Sequence, residues 1–135
     1  MINVGKADVS IFIIRLALSL TFIYHGSGIL FNTFTGPGLV GFANNMHFPL
    51  IVAFLVGLAE FCGGISMLTG IFVRLGALAI MIVMFGAIII VHLPHGFDLQ
   101  KGGMEYALTE FLLALSVFIY KAGNITLKFK KGGKL

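Results

Sequence analysis

The sequence predicts an all-α integral membrane protein, a four-helix transmembrane bundle with a short interfacial helix in its first outer loop. Its 135 residues are 59% hydrophobic and only 10% charged, whereas a soluble domain carries about 25% charged residues. The mean hydropathy is +1.06. Four apolar runs approach the roughly 20 helical residues that cross a hydrocarbon core. The length suits one domain. Because so few residues are charged, most of the surface is expected to face lipid.

The four predicted spans follow one another with little chain between them. They cover residues 9–31, 50–69, 72–91 and 104–120. The fourth is the shortest and contains two acids. Only Gly70 and Ile71 separate the second span from the third, which predicts a tight helical hairpin with glycine at the turn.

The connection between the first two spans is too long for a simple turn. Gly36-Pro37-Gly38 interrupts the chain, and apolar residues then recur at helical spacing. Such a pattern favours a short amphipathic helix lying in the outer membrane interface. The apolar residues that predict this helix are Leu39, Val40, Phe42, Ala43 and Met46.

The placement of lysine and arginine predicts the orientation. Lys6, Arg74 and Lys121 flank the spans on one side, together with a basic tail at residues 121–135, whereas Lys101 lies on the other side. Because positively charged loops remain in the cytoplasm, we expect a multi-pass membrane protein with both termini cytoplasmic. The tail suits anionic lipid head groups. No basic face with interleaved aromatic residues indicates nucleic-acid binding.

Ionisable residues inside the spans are the main functional candidates, because such residues are costly in lipid and usually pair or face a cavity. A rise of about 1.5 Å per residue places Arg15 about 9 Å and His25 about 24 Å from the inner boundary, and Glu60 near the midplane. Arg15 and Glu60 are therefore predicted to form a structural ion pair between the first two spans. The alternatives are that Arg15 extends to the cytoplasmic interface and that Glu60 is protonated.

The same depth count predicts a ligand site in the outer half of the bundle. The first, second and fourth spans should form its walls, and the end of the third its mouth. No metal is expected, because Pro94 separates His92 from His95 and no firm set of further ligands is visible. The ligand-binding candidates are His25, Glu60, His92, Tyr106 and Glu110.

Several motifs together resemble the DoxX family of small bacterial membrane proteins. They are Arg15–Gly26 (RLALSLTFIYHG), Glu60–Gly70 (EFCGGISMLTG) followed by Arg74, His92–Phe97 (HLPHGF) and Gly102–Tyr106 (GGMEY). The resemblance extends from about Ile11 to Tyr120. It implies a four-helix bundle in the bacterial cytoplasmic membrane.

The resemblance also implies a link to quinones, since some family members act in quinone-dependent redox or oxidative-stress pathways and many are described as oxidoreductases. We therefore expect a quinone-interacting subunit that works with a soluble or membrane redox partner. Catalytic residues and a substrate cannot be named, and no cofactor other than a quinone is indicated. The alternative is a non-enzymatic protein, either a small-solute carrier or an assembly scaffold. The lipid bilayer is an expected partner in both cases, and a homo-oligomer is compatible with both.

Overall fold

In the computed structural model, which describes residues 4–127, every regular element is helical. Five α-helices are joined by short connections, and the predicted helical bundle is confirmed. A π-helical turn at Ile88–His92 and two 3-10 turns, Leu93–His95 and Leu99–Lys101, lie between the last two α-helices. The α-helices are α1 (Lys6–Phe31), α2 (Gly38–Met46), α3 (Leu50–Thr69), α4 (Val73–Ala87) and α5 (Glu105–Tyr120).

Three helical segments are long and apolar enough to cross a membrane: α1, α3, and α4 continued through the turns to His95. The fourth predicted span is α5, whose 16 residues reach about 24 Å. α5 packs mainly against α4, and its Ala114 and Val117 are fully buried. The short helix predicted in the first loop is α2.

Close contact between α1 and α3 is the most extensive helix pairing in the bundle, and glycines permit it. A Cβ atom on Gly26 would overlap the backbone of Phe61, and one on Gly64 would lie 2.7 Å from the backbone nitrogen of Ile23. Small residues let helices approach closely in membranes. This seam holds Glu60, which lies one helical turn before Gly64, against the first helix.

The end of the third span departs from regular α-helix. Proline has no N–H, and its ring collides with the carbonyl four residues earlier, so Pro94 is incompatible with a regular turn around Ile90. The chain instead widens into the π-helical turn Ile88–His92 and then tightens into a 3-10 turn that contains Pro94. π-helical turns frequently occur at functional sites, and here the turn contains His92.

The chain after α5 returns to the bundle instead of extending away from it. We call residues 122–127 the strap. Asn124 donates from its backbone nitrogen to Oδ1 of Asp8 over 2.8 Å, and Leu127 donates to the carbonyl of Thr69 over 2.8 Å. The strap thus joins the start of α1 to the end of α3. Four lysines of the predicted tail, Lys128, Lys130, Lys131 and Lys134, lie outside the described residues.

The bundle therefore has two different ends. At the terminal end, α1 begins, α5 finishes and the Gly70 turn lies against the strap. At the loop end, α2 packs on α1 and α3, near the connection between His92 and Glu105. The side surface between them is apolar, with exposed side chains such as Leu20, Leu75, Ile82 and Ile119.

Candidate functional site

A cavity of about 560 Å³ lies in the half of the bundle nearest the loop end. All four long helical segments contribute to it, and α2 covers it with Phe42 and Met46. We call it the main cavity. The third span was expected only at the mouth, but its residues from Ile82 to His92 form a complete wall. The reason is that the π-helical turn keeps this segment helical, and against the bundle, as far as His92.

Four of the five sequence-predicted ligand residues line the main cavity. His25 comes from α1, Glu60 from α3, His92 from the π-helical turn and Tyr106 from the start of α5. The remaining surface is mostly apolar. Most small-molecule sites combine apolar walls with a few convergent polar groups in this way, so the cavity can hold a hydrophobic ligand that carries hydrogen-bonding atoms.

Glu60 is the most deeply buried of the four polar groups, with 7% of its surface exposed. Its Oε2 atom is fully enclosed and has no hydrogen-bond partner among residues 4–127. A buried carboxyl oxygen without a partner carries a full desolvation cost, typically about 1–3 kcal/mol or more. A group kept at such a cost is a functional candidate.

Glu110, the fifth predicted ligand residue, does not line the main cavity. It is 6% exposed, and its Oε2 atom also has no hydrogen-bond partner within residues 4–127. Its carboxyl group lies close enough to the Tyr106 hydroxyl, one turn earlier on α5, for the two groups to interact. Glu110 thus supports Tyr106 from behind and does not face the cavity directly.

The two histidines offer different chemistry to the main cavity. The Nδ1 atom of His92 lies 2.8 Å from the carbonyl oxygen of Gly102. A carbonyl can only accept, so Nδ1 carries the proton, and Nε2 of the neutral ring is an acceptor. His25 stacks edge-on against Tyr24 at 5.3 Å between ring centroids, and its ring nitrogens form no hydrogen bond within the described part of the chain.

The predicted ion pair between Arg15 and Glu60 does not form. Arg15 is fully buried and donates to backbone carbonyls instead, from Nε to Met67 over 2.9 Å and from Nη1 to Ala122 and Ile125 over 2.8 and 2.7 Å. Met67 lies seven residues beyond Glu60, about 10 Å along α3. The strap brings its carbonyls to the guanidinium, which therefore needs no carboxylate partner.

The sequence did not single out several residues that complete the main cavity. Thr21 lies one turn before His25 on α1, and its hydroxyl is 3.3 Å from the hydroxyl of Tyr106. The spacing of Thr21 and His25 was a usable signal, because residues four apart share a helix face. Phe42, Met46 and Phe48 were not predictable, because the position of α2 over the bundle has no sequence signature.

A metal site is not formed by the described residues. Residues 4–127 contain no group of three or more His, Cys, Asp or Glu side chains that could hold a metal ion. His95 turns its Nδ1 atom to the carbonyl oxygen of Val91, 3.0 Å away, and does not line the main cavity with His92.

The fold and the cavity together define a class: a small helical membrane protein whose bundle contains a largely apolar cavity lined by a few polar groups, of which Glu60 is buried. The sequence profile described as DoxX matches residues 10–93. The chain belongs to the DoxX family. The matched region contains most of α1, all of α2, α3 and α4, and the π-helical turn. It thus includes His25, Glu60 and His92, whereas Tyr106 and Glu110 lie beyond it. Neither a curated protein nor a solved structure matches the chain.

Proposed function

We propose that this protein binds a membrane quinone in the main cavity and acts as a quinone-interacting subunit of a redox or oxidative-stress pathway. The observation that carries the proposal is the cavity itself, in which His25, Glu60, His92 and Tyr106 meet within apolar walls. A quinone has the matching chemistry, since its flat ring carries oxygens that form hydrogen bonds and its tail is soluble in lipid. The volume of about 560 Å³ lies within the range of small-molecule sites.

Apolar residues between α3 and α4 provide a route for the tail. Val52 and Val56 on α3 face Ile82 and Gly86 on α4 across the main cavity. Gly86 has open space beside it, because a Cβ atom there would meet nothing within 4 Å. A ligand dissolved in the bilayer can therefore enter sideways, with its ring inside and its tail toward lipid.

The polar residues suit the ring oxygens in both oxidation states. The Tyr106 hydroxyl can donate to a quinone carbonyl, and neutral His92 can accept from a quinol hydroxyl at Nε2. The Glu60 carboxyl group has an oxygen without a partner and can hold or release a proton. The quinone supplies the redox chemistry, and we assign electron delivery to a soluble or membrane redox partner.

Filling the route beside Gly86 tests this proposal. Gly86→Phe should place a ring in the open space and weaken binding of a short-tailed ubiquinone or menaquinone by at least about tenfold, or roughly 1.4 kcal/mol. Binding is measured by titration of the protein in lipid nanodiscs and by mass spectrometry of quinones that copurify with it. Leu78→Phe adds a ring on the lipid-facing side of the same helix and is the matched control.

Two results would contradict the quinone proposal. One is the absence of quinone binding in the wild-type protein, and the other is equal affinity in the wild-type and Gly86→Phe proteins. Uptake of a polar solute by proteoliposomes, in the absence of quinone binding, would instead favour the small-solute carrier.

The proposed orientation places both termini in the cytoplasm of a bacterium. Its support is the position of Lys6, Arg74 and Lys121 at the terminal end, in line with the positive-inside rule. With Cys62 replaced by serine, a cysteine at Asn45 should react with an impermeant maleimide added to intact cells, and a cysteine at Lys121 should react only after lysis. The reverse pattern would overturn this orientation.

A further inference from the structure

A second cavity of about 300 Å³ lies beside the main cavity, beneath the loop that joins α1 to α2. Tyr24 and the loop residues Thr33 and Thr35 contribute polar atoms to its lining. Both threonines are exposed at the loop end. We call this space the vestibule. It differs from the main cavity in position, because its walls include the exposed loop at residues 33–37 and no residue of α4 or α5.

The two cavities share a boundary. His25, Phe42 and Glu60 line both of them. Glu60 is 7% exposed, and its enclosed Oε2 atom has no hydrogen-bond partner within residues 4–127. The buried carboxyl group that lines the main cavity therefore lies where this cavity meets a cavity beneath an exposed loop.

Around Arg15, the opposite half of the bundle is closely packed. Leu18, Met67 and Val117 have no exposed surface, and neither has Arg15, whose guanidinium is enclosed by carbonyls of α3 and the strap. A fully buried charge with its donors satisfied closes this end to water and repels a proton that approaches along it. A cavity of about 330 Å³ between α3 and α4 near the Gly70 turn also lies in this half, but Glu60 does not line it, whereas Glu60 lines both cavities at the loop end.

We propose that the vestibule is the proton path of this site: water entering beneath the loop at residues 33–37 exchanges protons with Glu60 from the loop end alone. The inference rests on the proposed function for what the proton then serves. The step itself is balanced, since the Glu60 carboxylate and a hydronium ion give the carboxylic acid and water, and no electron moves. The ligand enters from lipid, and the proton enters from water.

The surroundings of Glu60 suit this exchange. Among the titratable groups of the neighbouring elements, Lys6, Asp8, Arg15 and Arg74 lie toward the terminal end and a second set lies toward the loop end. No group of either set forms an ion pair with Glu60 within the described part of the chain. His25 can act as the relay group, because it lines the vestibule and the main cavity alike. The groups of the loop-end set are Tyr24 and His25 of α1, His92 of the π-helical turn, and Tyr106 and Glu110 of α5.

Hydrogen–deuterium exchange at the Glu60 carboxyl group tests the path without any quinone. Infrared spectroscopy follows the carbonyl band of the protonated acid in quinone-free nanodiscs after transfer into D₂O, and loss of the band in Glu60→Gln identifies it. Thr33→Trp, which fills the vestibule without touching the main cavity, should slow exchange several-fold. Val40→Trp is the matched control, because Val40 is exposed on α2 and lines neither cavity. It should exchange at the wild-type rate.

The vestibule can also be blocked after the protein has folded, so that the test does not depend on whether Thr33→Trp folds. Thr33→Cys, with Cys62 replaced by serine, is purified in its folded form and then modified with a bulky maleimide, which should slow exchange as the tryptophan does. Equal exchange before and after modification would overturn the proposal. Slowing by Gly86→Phe but not at position 33 would place the path through the main cavity and overturn it too, as would the absence of a protonated Glu60 band at every pH.

The proposed proton path and the proposed quinone site can be tested independently. Quinone titration of the wild-type protein tests the ligand, and Glu60 exchange in the quinone-free protein tests the path. If the wild-type protein binds quinone normally but exchange is not slowed in the modified Thr33→Cys protein, only the proposed proton path is rejected. If modification of Thr33→Cys slows exchange at Glu60 but the wild-type protein binds no quinone, the proton path is supported and the quinone proposal is rejected.

Discussion

Replacing Arg15 with methionine should lower the free energy of unfolding by about 3–5 kcal/mol, because three backbone carbonyls lose a charged hydrogen-bond donor. Methionine fills a similar length but donates no hydrogen bonds, so the carbonyls of Met67, Ala122 and Ile125 lose a charged donor. Unsatisfied buried acceptors each cost about 1–3 kcal/mol. The measurement is thermal unfolding in detergent, with the resistance of the strap to protease as a local readout.

Arg74→Met is the matched control for the Arg15 variant. Arg74 is exposed and lies over the ring of Phe118, 4.6 Å from its centroid, a contact worth about 0.5–1 kcal/mol at exposed sites. Arg15→Lys should fall between wild type and methionine, because an ammonium group cannot reach carbonyls on α3 and the strap together. Equal losses from Arg15→Met and Arg74→Met would contradict the role assigned to the strap.

Replacing Glu60 with leucine should stabilise the protein while it weakens quinone binding. The change removes a buried carboxyl oxygen that has no partner within residues 4–127, and it should raise the free energy of unfolding by about 1–3 kcal/mol. Quinone affinity should fall by at least about tenfold, or 1.4 kcal/mol. Stability and ligand affinity, measured on the same preparation, should therefore change in opposite directions, as is common at functional sites.

Glu110→Leu is the control that separates the effect of removing a buried carboxyl group from the effect of losing a ligand contact. Glu110 is as deeply buried as Glu60 and has an unpartnered oxygen within the described residues, but it does not line the main cavity. It should gain less stability than Glu60→Leu, because it also loses its interaction with the Tyr106 hydroxyl, and it should lose less quinone affinity. A loss of stability in Glu60→Leu would show that this carboxyl group has a structural partner and would contradict the ligand role.

The elements of the fold were largely predictable because hydropathy and glycine positions act locally. The length of each apolar run placed α1, α3, α4 and α5, and the spacing of apolar residues after Gly38 placed α2. The widening at Ile88–His92 was not predictable. Pro94 indicates that a regular helix must end, but the neighbouring packing decides whether the chain responds with a kink, a turn or a π-helical segment.

The depth of each site residue along the bundle could be predicted from the sequence, but the groups that it contacts could not. A constant rise per residue brought His25, His92 and Tyr106 to one depth, and the structure places all three around one cavity. The facing of Glu110 behind Tyr106 depends on how α5 is rotated in the bundle. The partners of Arg15 are backbone carbonyls, which every residue carries, so no residue type in the strap distinguishes them.

Because the strap is synthesised after the helices, the hydrogen bonds of Arg15 are completed late in the biogenesis of the protein. Arg15 enters the membrane with the first helix, but its acceptors at Ala122 and Ile125 are 107 and 110 residues further along the chain. A charged side chain inside a newly inserted helix costs up to about 2.5–3.5 kcal/mol at the translocon when nothing compensates it. Met67 on α3 can accept from Arg15 earlier, but the hydrogen bonds of the guanidinium remain incomplete until α5 and the strap have been translated.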